Sequence, residues 1–322
     1  MSTSTDPESG IVAVGLARSF GKTPVVVDAS LTVPHGSITA LVGPNGSGKT
    51  TLMLMLASLL APDRGSLRIA GNDPATQLPA VRAAMGWMPD TLGVWPNLTV
   101  REVLTATARM YGIRGPLCTT RVDELLDQTG LAPLADQRTS TLSRGQQQRL
   151  SLGRSLVHRP RVLLLDEPAS GLDPAARSHL RGTLRRLAAD GVAILITSHL
   201  LEDLEQVADR AVYLRDGRTV DAAGLAAAHG GGERYRVRAL DHTALVSALA
   251  GYGAVREEQA TSAGPAVIVD LATEQEAAAL LQRLVGSGVP VVDFAPVTGR
   301  IARTFMHLGS GGGPTHEGEE TP

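Results

Sequence analysis

The sequence predicts an α/β domain built on a parallel sheet, with a helical subdomain inserted and a small α+β domain after it. Three observations carry this. Continuous apolar strands alternate with helices over residues 162–214, as in sheets buried on both faces. A glycine-rich loop over residues 43–48 separates an apolar strand from a helix. Beyond residue 232 the order becomes β-α-β-β-α-β, a ferredoxin-like succession. With 322 residues, two unequal domains each have enough chain to bury a core.

Residues 1–10 are polar, lack the basic start of a secretory leader, and are expected to be disordered. The first domain spans 11–228. Strands are expected at 11–17, 25–33 and 37–42, with Pro34-His35-Gly36 read as a hairpin turn between the last two. A helix should run from Lys49 to about Leu60, where Pro62-Asp63-Arg64-Gly65 breaks it, before strands at 66–69 and 85–89. Helical periodicity at 99–111, 120–128 and 145–156 marks the inserted subdomain, about 95–157. Strands at 162–165, 192–197 and 211–214 then alternate with helices at 174–189 and 200–208.

A glycine run at 229–232 reads as a linker. The second domain, 233–308, should hold strands at 235–239, 254–259, 266–270 and 289–294, and helices at 242–249, 273–285 and 300–308. The tail 309–322 is expected to be disordered. The longest apolar run, 52–61, is far shorter than the roughly 20 residues of a membrane span.

Composition narrows the function. The 30 basic and 32 acidic side chains leave a net charge of −2, so there is no strong basic field for nucleic acid. The single cysteine, Cys118, excludes an internal disulfide framework and suits a reducing compartment. Only Lys22 and Lys49 among the basic residues are lysines. In a chain that otherwise uses arginine, Lys49 stands where the type of cation matters.

Gly43-Pro44-Asn45-Gly46-Ser47-Gly48-Lys49-Thr50-Thr51 fits the P-loop pattern G-x-x-x-x-G-K-[ST]. Glycines let successive N–H groups turn toward phosphate oxygens, and the following helix offers its positive end. Lys49 supplies a compact charge to the β- and γ-phosphates, and Thr50 a hydroxyl ligand for Mg²⁺. The strand Val162–Leu165 ends in Asp166 and Glu167. Asp166 is placed to hold Mg²⁺ through its water shell, and Glu167 to polarise an attacking water as general base. Ser143 opens a helix as a good N-cap.

Leu142-Ser143-Arg144-Gly145-Gln146, the Asp166-Glu167 strand end, Ser170-Gly171-Leu172-Asp173 and Ser198-His199 follow one another in the order of signature, Walker B, D-loop and switch histidine. Over about residues 11–220 the chain closely resembles the ATP-binding-cassette (ABC) ATPases, of P-loop NTPase fold. The resemblance implies that ATP joins two cassettes head to tail. Ser143, Gly145 and Gln146 then reach the γ-phosphate held by the other subunit's P-loop, and Asp173 lies at the shared interface. His199 contacts the γ-phosphate and holds the attacking water. Phe20 lies where the family stacks an aromatic on adenine, although Phe20-Gly21 reads equally as a turn with a core aromatic. Two departures stand out. Asp90 occupies the family's usual glutamine position and remains able to ligate Mg²⁺. Arg144 replaces the first signature glycine.

Both departures, and a C-terminal extension ending in Val291-Val292-Asp293-Phe294-Ala295-Pro296 and a helix, resemble the branch that powers drug, antibiotic and polysaccharide exporters. The implied assembly is a peripheral ATPase on the cytoplasmic face of the plasma membrane. It works with a separate transmembrane permease and a second ATPase copy or paralogue, with no nucleic-acid partner. Trp87 and Trp95, close together in a chain with 3% aromatics, read either as a contact surface for the permease or as subdomain core. The competing class is a soluble, non-transport ABC ATPase acting on a macromolecular partner. Against it, residues 50–142 show no sustained heptads, and the chain has one cassette without basic linkers. A small-molecule P-loop kinase leaves the signature and switch histidine unexplained.

Overall fold

The computed structural model of the chain describes residues 9–93, 95–220, 233–250, 256–261, 264–297 and 299–310. Contacts divide the chain into two compact units, Met1–Ala222 and Ala223–Pro322. The division falls before residue 228, and the glycine run at 229–232 lies outside the described residues.

In the first unit the strands are β1 (Ser9–Phe20), β2 (Thr23–Pro34), β3 (Ile38–Val42), β4 (Arg64–Ile69), β5 (Met85–Met88), β6 (Val162–Leu165), β7 (Ala193–Ile196), β8 (Arg210–Arg215) and β9 (Arg218–Val220). Among the described residues they form one sheet in the order β4-β1-β2-β9-β8-β3-β7-β6-β5. The stretch β8-β3-β7-β6-β5 is parallel, whereas β4, β1 and β2 pair antiparallel. β3, β6 and β7 are buried at every residue, which explains their unbroken apolar sequences. Leu41, Leu164 and Leu195 pack with Leu52, Met53 and Met55 of helix α1 (Lys49–Leu56) in the main core.

Parallel register sets the site. Ala40 and Leu165 both pair with Ile196, and Met88 pairs with Leu165. The segments that begin at Gly43, Pro89, Asp166 and Thr197 therefore all leave the carboxyl edge of the parallel strands, where open α/β sheets bind ligands.

Helix α2 (Leu78–Ala84) precedes β5, and α3 (Val100–Met110), α4 (Gly115–Gln128) and α5 (Arg144–Leu156) form the inserted subdomain. Helix α6 (Pro174–Ala189) joins β6 to β7, and α7 (Leu201–Val207) joins β7 to β8. The second unit contains β10 (Glu233–Ala239), α8 (His242–Leu249), β11 (Arg256–Thr261), β12 (Gly264–Leu271), α9 (Glu274–Gly286), β13 (Val291–Pro296) and α10 (Arg300–Ser310). Its antiparallel sheet runs β11-β12-β10-β13, the order of a split β-α-β plait. Tyr235, Val237, Val267 and Val269 bury one sheet face against Leu245 and Leu249 of α8 and Leu280 and Leu284 of α9.

Several expectations need correction. Pro34-His35-Gly36 does not close a hairpin. β2 pairs with β1 and β9, while β3 lies between β7 and β8, so this turn carries the chain from the antiparallel wing into the parallel core. The hairpin is β1–β2, tipped by Gly21-Lys22. Helix α1 stops at Leu56 rather than Leu60. Ser58 turns left-handed (φ 57°), and the bonds Ser58 N→Met55 O and Leu59 N→Leu54 O close the helix as a Schellman motif. The expectation of disorder over 1–10 fails at Ser9 and Gly10, which belong to β1; residues 1–8 lie outside the described residues. The expectation of disorder from 309 likewise fails at Gly309 and Ser310, which belong to α10. Residues 311–322 lie outside the described residues. Helix α2 and β9 escaped the sequence reading, being seven and three residues long.

Gly86 tests the seat of the inserted subdomain. A Cβ at this β5 position would collide with the carbonyl oxygen of Ser155 on α5. Gly86→Ala should destabilise the first unit by about 1–3 kcal/mol through overpacking. Urea unfolding followed by tryptophan fluorescence checks this, since both tryptophans lie in that unit; an unchanged midpoint would refute the close approach.

Candidate functional site

The loop Gly43–Gly48 leaves β3 and enters α1. Gly46 and Gly48 have φ of 80° and 99°, and a Cβ on Gly48 would stand 2.8 Å from Val25 O. Glycine is needed there for both reasons. Pro44, Asn45, Gly46 and Thr50 are exposed, Gly43, Lys49 and Thr51 half-buried, and Ser47 and Gly48 buried. The Ser47 hydroxyl has no hydrogen-bond partner. Gly48 provides no side-chain cap, so no capping side chain occupies the amides of the first turn of α1, the kind of helix start that binds anions.

Lys49 donates from Nζ to Gly43 O at 2.7 Å and to Pro44 O at 3.0 Å, which folds the ammonium back over its own loop. Burial pushes its pKa down, while the charges of Glu167 and Asp166 push it up.

Across the sheet edge, one hydroxyl organises both acids. Thr197, buried, donates from Oγ1 to Asp166 Oδ1 at 2.6 Å and accepts from Glu167 N at 3.1 Å. Glu167 adopts φ 54°, a left-handed conformation that costs a non-glycine residue about 1 kcal/mol or more. Its carboxylate Oε2 accepts from Nδ1 of His199 at 2.6 Å. The imidazole is 61% exposed, which leaves its other edge open to a ligand.

Burial raises the Asp166 pKa, and the negative charges of Asp90 and Glu167 add to it; the Thr197 bond and Lys49 oppose the rise. Asp90 is exposed and forms no hydrogen bond within the described residues, so it does not cap the turn after Pro89. No three His, Cys, Asp or Glu side chains among the described residues converge into a metal cage. The donors present, a Thr50 hydroxyl and an acid disfavoured by burial, fit Mg²⁺. That ion characteristically takes one or two protein ligands and completes its shell with phosphate and water.

The other candidates also have defined surroundings. Ser143 and Gln146 form a reciprocal capping box at the start of α5: Gln146 N donates to Ser143 Oγ at 3.3 Å, and Ser143 N to Gln146 Oε1 at 2.8 Å. Gly145 faces Leu172 and the Gly171 carbonyl. Asp173 caps α6, accepting from Ala176 N at 2.8 Å. Phe20 is 51% exposed at the hairpin tip with the Arg18 guanidinium 5.4 Å from its ring centre, so it is no core aromatic.

Trp87 and Trp95 are half-buried and line one cleft of about 730 Å³ with Leu59, Met110, Tyr111 and Arg154. Neither is wholly core. The Arg154 guanidinium lies 5.0 Å from the Trp95 ring centre, and the Trp95 carbonyl accepts from Thr139 Oγ1 at 2.7 Å. Thr197 and Gln148 are the residues sequence reasoning missed. For Gln148 the available signal was a polar side chain on the buried stripe of α5, one turn before Leu152.

Residues 26–170 match the family model described as ABC transporter. Over 214 residues the chain is 39% identical to Nod factor export ATP-binding protein I of Paraburkholderia xenovorans, covering 66% of this chain and 70% of that one. It is 30% identical over 293 residues to the uncharacterized ABC transporter ATP-binding protein YdbJ of Bacillus subtilis, covering 91% and 92%. The iron(III) import ATP-binding protein FbpC of Pseudomonas fluorescens shares 41% over 212 residues, 64% of this chain and 58% of that one. A solved ATP-binding subunit of an ABC transporter superimposes with a TM-score of 0.62 at 27% identity, covering 68% of this chain and 92% of that chain.

The raised pKa of Asp166 fixes the sign of a test. Its contribution favours the fold below the ordinary carboxylate range and is lost as pH rises through the raised value. Asp166→Asn should therefore melt above the wild type at pH 7.5 without ligand, and the gap should close on acidification through the carboxylate range. Differential scanning calorimetry across pH checks this; a variant that melts lower at pH 7.5 contradicts it.

Proposed function

The chain belongs to the ABC transporter ATP-binding proteins, a family that hydrolyses ATP, and on that premise we propose that it powers an exporter. Two cassettes close around two ATP molecules and drive a separate transmembrane permease. The observation that carries the reading is the Glu167–His199 pair, held at the same sheet edge as the Lys49 loop.

The chain's residues divide the work. Gly43 to Thr51 wrap the phosphates with amides, and Lys49 exchanges its loop carbonyls for the β- and γ-phosphate oxygens. Phe20, exposed on the hairpin beside the loop, stacks on adenine. Glu167 accepts the proton of the attacking water, and His199 orients that water against the γ-phosphate. Thr50 and Asp166, with the negative charge of Asp90 close by, would hold Mg²⁺, which when bound would neutralise charge on the phosphates. Ser143, Gly145 and Gln146 complete the nucleotide site of the second cassette, and Asp173 joins the interface between the two. For this the capping box opens, trading its internal bonds for phosphate contacts.

The cleft bearing Trp87 and Trp95 receives a cytoplasmic segment of the permease, since half-buried aromatics around an apolar hollow are suited to anchoring a partner. Among the described residues no helix is long and apolar enough to cross a membrane. In this reading the cassette is held at the cytoplasmic face by its permease partner. Outward direction rests on the export relative and on the departures Asp90 and Arg144; the iron-import relative marks the competing direction.

Lys49→Ala should abolish hydrolysis, and Lys49→Arg should do the same, because a planar fork does not replace a compact ammonium. Glu167→Gln should bind ATP yet turn over about 10²–10⁴-fold more slowly. It should also accumulate an ATP-dependent dimer, seen as doubled mass in light scattering. Full turnover in the arginine variant refutes the phosphate assignment, and a Gln variant that stays monomeric with ATP refutes the shared site.

Partner and direction need a separate measurement. The tagged chain should co-purify with a polytopic membrane protein, and cells carrying Lys49→Ala should retain more of the transported compound than wild type. Reduced uptake instead would identify an importer, and the absence of a membrane partner would favour the soluble class of ABC ATPase.

A further inference from the structure

Helix α5 grips the loop after β6 at two points one turn apart. Gln148, buried, donates from Nε2 to the carbonyl oxygen of Glu167 at 2.8 Å. Arg144 donates from Nη2 to Ser170 Oγ at 3.1 Å. Its stem also lies on Gly171, where an added Cβ would stand 2.8 Å from Arg144 Cδ. The two bonds bracket the segment from Glu167 to Ser170.

Packing does not account for Gln148. It sits one turn before Leu152 on the buried side of α5, beside Pro168 and Leu172, where an apolar side chain of the same length would avoid desolvating an amide. Nor is it required to satisfy the Glu167 carbonyl, which already accepts from Ser170 N at 3.1 Å. What the bond does is fix the peptide plane after a residue held at φ 54°. In that conformation a small rotation about the backbone swings the carboxylate away from its target. Thr197 holds the amide side of Glu167, and Gln148 holds the carbonyl side.

We propose that Gln148 is a positioning residue that aims Glu167 at the attacking water, with Arg144 bracing the far end of the same loop. This rests on the reading of Glu167 as general base. The helix whose first turn carries Ser143 and Gly145 thereby sets the geometry of this chain's own base. A shift of that first turn reaches Glu167 through four residues of rigid helix. Arg144 strengthens the link at the position where the family usually has glycine, a residue with no side chain to reach Ser170.

Gln148→Met keeps length and removes the donor. In the full chain, kcat should fall about tenfold or more, while the KM for Mg·ATP stays within about twofold, because ground-state binding does not pass through Gln148. A purely structural role predicts a loss in any background. Aiming predicts a loss that depends on the carboxylate. In the Glu167→Gln background Gln148→Met should therefore leave the residual single-turnover rate unchanged. Wild-type kcat in Gln148→Met, or an undiminished further loss in the Glu167→Gln background, overturns the proposal. If Gln148→Met fails to bind ATP and so does not fold, the exposed Arg144→Met is measured the same way. A kcat loss of about threefold, absent from the Glu167→Gln background, is expected, and no loss overturns the proposal. Failure of the underlying reading looks different: Glu167→Gln itself would then turn over at the wild-type rate.

Discussion

One hydroxyl group fixes the relation between the two acids of the site. Thr197 Oγ1 donates its single proton to Asp166 and uses a lone pair for the Glu167 amide. The arrangement exists because β6 and β7 are parallel and in register, with Leu165 opposite Ile196 and Thr197 N donating to Leu165 O at 2.9 Å. The chemistry thus begins one residue beyond the last ladder pair of each strand.

Charge at this edge is unbalanced in a way that selects the ligand. Asp166 and Glu167 act on a single ammonium, Lys49, whose own pKa is lowered by burial, and Asp90 adds its negative charge at Asp166. Asp166 is driven toward neutrality by the same cause acting on the opposite sign of charge. A bare anion would relieve Lys49 and aggravate the acids, and a bare cation would do the reverse. A metal–polyphosphate complex, as in the proposed function, would answer both, with its phosphates toward the loop amides and Lys49 and its metal toward Thr50 and Asp166. The orphaned Ser47 hydroxyl and the uncapped first turn of α1 lie on the phosphate side of that arrangement.

Much of this was legible in the sequence where the signal is local. Val162–Leu165 was delimited as observed because a strand buried on both faces must be apolar throughout. The loop at Gly43–Gly48 was legible because its backbone admits few residue types. Where partners are distant, local signals misled. Pro34-His35-Gly36 has the composition of a hairpin turn, yet strand order is decided by pairing with β7, β8 and β9, far along the chain. The end of α1 was misplaced because its Schellman turn uses Ser58, not the usual glycine, in the left-handed position. Thr197 and Gln148 act through tertiary hydrogen bonds that no spacing rule encodes.

The same contrast between local type and tertiary demand explains why lysine persists at position 49 in a chain that otherwise prefers arginine. The ammonium sits 2.7 and 3.0 Å from two consecutive carbonyl oxygens of its own loop. A tetrahedral donor on a flexible stem satisfies both and, in the proposed function, would turn toward phosphate oxygens. A guanidinium is planar and wider, and its forked donors suit parallel acceptors, which the carbonyls of a tight turn do not offer. The half-buried setting adds to this, because a compact charge that left the carbonyls for a phosphate would trade one close set of oxygens for another within the same small volume. At position 144 the demand is reversed. The guanidinium spans an exposed gap to Ser170 while its stem covers Gly171, and there the length and fork of arginine are what the contact uses.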